Sequence, residues 1–223
     1  MRISIRCGQS CAKSQGDRPT CVSFAVTSLH EYEIDVVKLS RAKAETDLSE
    51  EFLHYHCKKY DGLGSNHGTT VAAAATSLGT AGQCRERFCP YQPKAKLSGL
   101  VTPSITAFAD GGKRLLPDLK PMKAKADSIV FSLKGGRPLI AVLDWFSNSY
   151  SAVLGVIGMP VSTDRLLGRH AVLIVEWDDE SDPGNPRIGF KNSWGSMWGD
   201  GGFGRFGLDY FNACGRQLWT LQR

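Results

Sequence analysis

Residues 187–206 read RIGFKNSWGSMWGDGGFGRF. RIGFKN (187–192) and GGFGRF (201–206) are short apolar or alternating runs bounded by Pro, Gly, Asn and Asp, and they predict two strands. Just upstream lies HAVLIVEW (170–177), a strongly apolar run opened by His170. The nine residues between, DDESDPGNP (178–186), are made up of Asp, Glu, Ser, Pro, Gly and Asn and predict a hairpin connection. That hairpin would set His170, at the start of one strand, beside Asn192, at the end of the next. RPLIAVLDW (137–145) supplies a further strand, so the second half of the chain is expected to form an antiparallel sheet.

The first half reads differently. From Cys21 to about Lys38, the residues Val22, Ala25, Val26, Leu29, Tyr32 and Val36 recur at spacings of three and four, predicting a helix with Thr20 as its N-cap. A second helix is predicted over Ser49–Lys59, with Glu50 and Glu51 in its first turn and Lys58 and Lys59 in its last. A third, TVAAAATSLG, stops at Gly79, and a long connection then runs from about 80 to 126. A short helix over Asp127–Lys134 ends at Gly135-Gly136. Helices first and strands second is the α+β class. The expectation is a single domain, 1–223, with a helical lobe over about 15–126, a β lobe over about 127–223, and an active-site cleft between them.

At 42% hydrophobic and 22% charged, 223 residues can bury a core of ordinary size. No run approaches the roughly 18 apolar residues of a membrane span, and MRISIRCGQSC lacks the apolar stretch of a secretory signal, so no membrane partner is expected and the chain reads as soluble and unaddressed. Seven cysteines, an odd number spread thinly, argue for a reducing compartment and no disulfide framework. Cys7-x3-Cys11, Cys84-x4-Cys89 and HYHC (54–57) lack paired zinc spacing, and no metal is expected. Lys94–Lys125 holds seven basic residues against two acidic ones, as large an excess as the whole chain's +5. Those cations are not interleaved with stacking aromatics, which predicts a solvated face and no nucleic-acid partner.

Cys21 opens a predicted helix, where unpaired N–H groups and the helix dipole stabilise a thiolate. An imidazolium within reach would lower the thiol pKa further. His30, His54 and His56 fall on predicted helices and His67 in a Gly-rich loop, which leaves strand-borne His170 as the candidate base. Asn192 could accept a hydrogen bond from the ring and fix it without adding charge.

Together these residues resemble the papain-like cysteine peptidases, in particular the short bacterial forms. QGDRPTCVSFA (15–25) is similar to the nucleophile motif, LSEEFLHYHCK (48–58) to the helix that follows, GRHAVLIVEW (168–177) to the histidine strand, and KNSWGSMWGDGGFGRF (191–206) to the asparagine motif. The resemblance implies Cys21 as nucleophile, His170 as general base and acid, and Asn192 as the orienting residue. It further implies Gln15 as an oxyanion donor, Trp194 as a shield over the His170–Asn192 contact, and Gly68 as a backbone partner of extended substrate. Cys21 and His170 lie 149 residues apart, within the family's usual spacing.

The implied substrate is a protein or peptide, and no cofactor is needed. Where the family carries Cys-Gly-Ser-Cys-Trp, this chain has Arg18-Pro19-Thr20-Cys21-Val22, so the disulfide cysteine and the aromatic after the nucleophile are both missing. Arg169 stands where plant members have an acidic group. The chain shows no inhibitory prosegment, which raises a delivered toxin restrained by an immunity protein as an expectation. Thioester chemistry would equally serve an acyltransferase or a glutamine deamidase, and a silent binding module is the remaining alternative.

Overall fold

The structure is a computed structural model and describes residues 1–37, 46–94 and 100–222. It divides into two compact units, a helical one built from Gln15–Leu119 with Gln222, and a sheet unit built from Met1–Ser14 and Lys120–Leu221.

The helical unit holds α1 (Cys21–Tyr32), α2 (Glu50–Cys57), α3 (Val71–Thr80) and α4 (Ile105–Gly111). α1 is buried nearly all round: besides its apolar stripe, Ser23, Thr27, His30 and Glu31 are inside. These polar groups have partners, as burial demands. His30 Nδ1 lies 3.0 Å from Gln83 Oε1, whose Nε2 donates to Thr27 Oγ1 and to the Ser49 carbonyl. A π-type turn, Glu33–Val37, continues α1. The predicted end at Lys38 lies outside the described residues.

Three of the helix starts follow from local chemistry. Ser49 Oγ accepts from the Phe52 N–H at 3.0 Å, Thr70 Oγ1 from the Ala73 N–H at 3.1 Å, and Ser104 Oγ from the Ala107 N–H at 3.2 Å. Thr20 departs from expectation. It sits at the N-cap of α1 but makes no capping bond, because its hydroxyl is drawn instead to Tyr91 Oη at 2.7 Å. α2 ends at Cys57, short of the predicted Lys59, and Lys58 turns to Asp61 at 2.8 Å.

The connection from 80 to 126 is not featureless. It carries a 3-10 turn over Glu86–Phe88, α4, and strand β2 (Leu119–Met122), all too short to leave a periodic signature. Arg114, counted among its surface cations, turns inward to join Arg85 on Asp110, which is almost fully buried.

In the sheet unit, β1 (Arg2–Ser4), β2, β3 (Leu139–Phe146), β4 (Val156–Ile157), β5 (Leu166–Asp178), β6 (Arg187–Lys191), β7 (Phe203–Gly207) and β8 (Gly215–Leu221) form one sheet in the order β2-β8-β3-β5-β6-β7-β4. β1 extends the β3 edge of β5, pairing Arg2 with Asp178. The β1–β5, β3–β5, β3–β8, β5–β6 and β6–β7 pairs are antiparallel as expected, and β4 runs parallel to β7. α5 (Ala126–Lys134) and α6 (Leu208–Cys214) pack on it. Ile129, Leu133, Leu143, Trp145, Val172, Ile174, Phe190, Phe206 and Tyr210 form its core, each contributing roughly 1.5–3 kcal/mol on burial.

Candidate active site

His170 and Asn192 come together within the sheet unit. His170 does not open its strand, as the sequence predicted; β5 begins at Leu166, and of its first four residues Leu166, Gly168 and Arg169 pair with β3 while Leu167 falls at a register shift and packs against the edge of the core. His170 is the point at which β5 enters the core. Asn192 follows the last residue of β6, one position past the Leu173–Lys191 pair of the β5–β6 hairpin. His170 Nε2 and Asn192 Oδ1 are 2.8 Å apart, and both side chains are buried.

That bond settles the imidazole tautomer. Asn192 Oδ1 also accepts from the Ser193 N–H at 2.8 Å, so this oxygen is an acceptor and His170 Nε2 must donate. Nδ1 then carries the lone pair. Burial drives the His170 pKa from 6.5 down to about 4, with the Asn192 bond pulling the other way, so the ring is neutral at neutral pH.

Aromatic rings wall in the pair. Trp194 lies 5.3 Å from the His170 ring and Trp145 4.8 Å, with Trp145 and Trp194 edge to face at 6.1 Å. Tyr150 stacks on Trp194 at 5.1 Å. The N-terminal arm is fastened here as well: Ser14 bridges Trp194, and the Gly195 N–H donates to the Lys13 carbonyl. Gly202 returns a carbonyl to the Asn192 N–H at 2.9 Å. Its φ of +90° and an approach that would put a Cβ 2.2 Å from Ala12 leave room only for glycine.

Gln15, Cys21 and Gly68 lie in the helical unit. Cys21 is the first residue of the twelve-residue α1 and is partly exposed. No acidic side chain sits in that first turn and no side chain caps it, so the positive helix end is left unneutralised for a thiolate. Gln15 is buried, and its Nε2 donates to the Arg18 carbonyl at 2.7 Å, closing the loop that leads to Cys21. Gly68 passes so near that loop that a Cβ on it would meet the Pro19 carbonyl oxygen at 2.9 Å, and its own carbonyl accepts from Lys58 Nζ.

A sequence profile described as "papain family cysteine protease" matches residues 5–219. The chain belongs to the papain family of cysteine proteases. It is 27% identical to cathepsin J of Rattus norvegicus over 206 residues, and 22% identical over 227 residues to an uncharacterized peptidase C1-like protein of Acanthamoeba polyphaga mimivirus. These alignments cover 91% and 93% of the chain but 58% and 68% of the two relatives. Among solved structures, xylellain, a cysteine protease from Xylella fastidiosa, aligns over 99% of this chain and 85% of its own with a TM-score of 0.86 at 21% identity. At that identity the likeness is one of fold, and it establishes the two-lobed α+β architecture of the papain family.

Three other histidines of this papain-family protein are structural. His30 is tied to Gln83; His54 meets Ser23 Oγ at 3.2 Å; His56 packs among Phe52, Tyr55 and Phe108. Burial lowers both His54 and His56 to about 4, and the neighbouring Arg18 adds to the effect at His54. Burial also pushes the thiols of Cys57 and Cys84 up to about 12 and that of Cys89 to about 11, which keeps them protonated. Among the described residues, no three His, Cys, Asp or Glu side chains converge to hold a metal.

Sequence reasoning missed Trp145, read only as the end of a strand, and Tyr91, read as part of a loop. Nothing local marks either one; their partners lie far away in the chain.

Proposed function

We propose that this papain-family protein is a cysteine endopeptidase that hydrolyses peptide bonds in proteins, with Cys21 as nucleophile and His170 as its base and acid. The observation that supports the reading is the bond from His170 Nε2 to Asn192 Oδ1, which leaves Nδ1 with the lone pair suited to accepting the Cys21 proton. The thiolate attacks the scissile carbonyl carbon, and the tetrahedral oxyanion is received by the Cys21 N–H and the Gln15 side-chain amide. Each such donor is worth about 3 kcal/mol of transition-state stabilisation. As the C–N bond breaks, His170 Nδ1–H protonates the leaving amine, and a thioester to Cys21 remains. Water then gives a proton to Nδ1, attacks the thioester and releases the acid, restoring the thiol and imidazole. Trp194 keeps water off the His170–Asn192 bond. Gly68 offers its backbone to an extended substrate.

The test is to incubate the protein with a cell lysate, beside Cys21→Ala, and to sequence the new N-termini. New termini are expected with the wild type and not with Cys21→Ala. Equal sets of termini from both proteins would overturn the assignment of Cys21. Deamidated glutamine without new termini would replace peptide hydrolysis with deamidation.

A further inference from the structure

The loop from Gln15 to Cys21 carries both groups assigned above to the tetrahedral intermediate, and one side chain from outside grips its two ends. Tyr91 Oη donates to the Gln15 carbonyl at 2.8 Å and lies 2.7 Å from Thr20 Oγ1. A carbonyl can only accept, so the single tyrosine hydrogen is committed to Gln15 and Thr20 must donate to Tyr91. One oxygen atom therefore spans the residue proposed as oxyanion donor and the residue before the proposed nucleophile.

Tyr91 is itself held on several sides. Its N–H donates to Glu86 Oε1 at 2.8 Å, Phe24 of α1 meets its ring edge-on at 4.8 Å, and the Arg18 guanidinium lies over the ring at 4.9 Å. Arg18, at the position where the family carries a disulfide cysteine, is fixed in turn. Its two terminal nitrogens donate to the two carboxylate oxygens of Glu51, and Nη1 donates also to the Gln92 carbonyl. Arg18 and Glu51 are 4% and 0% exposed, and the Gln92 N–H completes the set on Glu51 Oε2 at 3.2 Å. A charge pair with this desolvation and bidentate geometry fixes orientation rather than merely adding attraction.

We infer that Tyr91 is a positioning residue for the proposed peptidase reaction: its hydroxyl, backed by the Arg18–Glu51 pair, sets the separation of Gln15 from Cys21 in place of a covalent staple. The inference rests on the assignment of Cys21 and Gln15 made above. One substrate carbonyl must meet thiolate and oxyanion donors at once, and this demand is sharp in the transition state and slack in the ground state. Loosening the loop should therefore act on kcat more than on KM.

The experiment uses a quenched fluorescent peptide carrying a sequence cut in the lysate digestion. Tyr91→Phe keeps the ring packing on Phe24 and Arg18 and removes only the oxygen. It is expected to lower kcat about tenfold to a hundredfold, with KM within about twofold of the wild type. Thr20→Val should fall similarly, Thr20→Ser should stay near the wild type, and the Tyr91→Phe/Thr20→Val pair should lose little beyond either single change, since both break one clamp. Thermal melting of each variant separates misfolding from misplacement. An unchanged kcat in folded Tyr91→Phe, or losses that multiply in the double variant, would overturn the positioning role and leave the peptidase assignment standing. A wild type that cuts no peptide bond would overturn both.

Discussion

The surroundings of Cys21 and of His170 are built from opposite materials. The Gln15–Cys21 loop is held by a buried polar network of Gln15, Arg18, Glu51, Thr20 and Tyr91, in which most contacts are hydrogen bonds or charge pairs. His170 is held by one hydrogen bond to Asn192 inside a wall of Trp145, Trp194 and, behind them, Tyr150 and Phe190. Directional contacts specify geometry but fail when one partner is lost. Apolar packing tolerates small shifts but is costly to empty.

The largest loss is expected on the apolar side. Trp145 is 2% exposed, and Trp145→Ala should cost about 4 kcal/mol in urea denaturation, with little dependence on pH or salt. A loss below about 1 kcal/mol would mean that the wall is not load-sharing.

On the polar side, Glu51→Gln leaves the Arg18 charge buried without its counter-ion and should cost about 3 kcal/mol by the same measurement. An Arg18→Met/Glu51→Leu double variant should recover most of that, because it removes the charges together. Recovery of stability without recovery of activity would sharpen the contrast, since it would separate the energy of the pair from its placement of the loop.

The smallest effect concerns pH. His56 has a folded pKa of about 4 against an ordinary value of 6.5, so between these values the unfolded chain binds a proton that the folded chain excludes. Its contribution to stability is present above 6.5 and is lost as pH falls towards 4. His56→Leu should remove that loss, which amounts to about 2 kcal/mol at about pH 5. Its Nε2 has no hydrogen-bond partner among the described residues, so leucine forfeits no bond there. Parallel unfolding curves for variant and wild type from neutral pH to about pH 5 would show that His56 is not the source of acid sensitivity.

Much of this was legible beforehand. The helices predicted to begin at Cys21, Ser49 and Thr70 and the four runs read as strands all express patterns within a few residues, although only the structure shows Ser49 and Thr70 as caps as well as helix starts. The juxtaposition of His170 with Asn192 was legible for a related reason: a loop rich in turn formers between two apolar runs fixes a hairpin, and a hairpin fixes which residues face each other. The failures have a common cause. Thr20 reads as a cap on local chemistry, but Tyr91, 71 residues away, offers its hydroxyl a better partner. His170 reads as a strand opener because Leu166–Arg169 lack a pattern, and only pairing with β3 makes them strand.

By itself, then, the sequence determined which candidate groups the chain carries and in what order: a cysteine at a helix start, a histidine on one strand, and an asparagine just past the end of the next. Tertiary structure alone decided how those groups are presented. The Nε2–H tautomer of His170 depends on the Ser193 N–H that shares its acceptor, and the clamp on the Gln15–Cys21 loop depends on Glu51 and Tyr91. Propensity and pattern act over a turn or a hairpin, whereas the direction of a proton or the grip on a loop is fixed by partners that only folding brings within 3 Å or so.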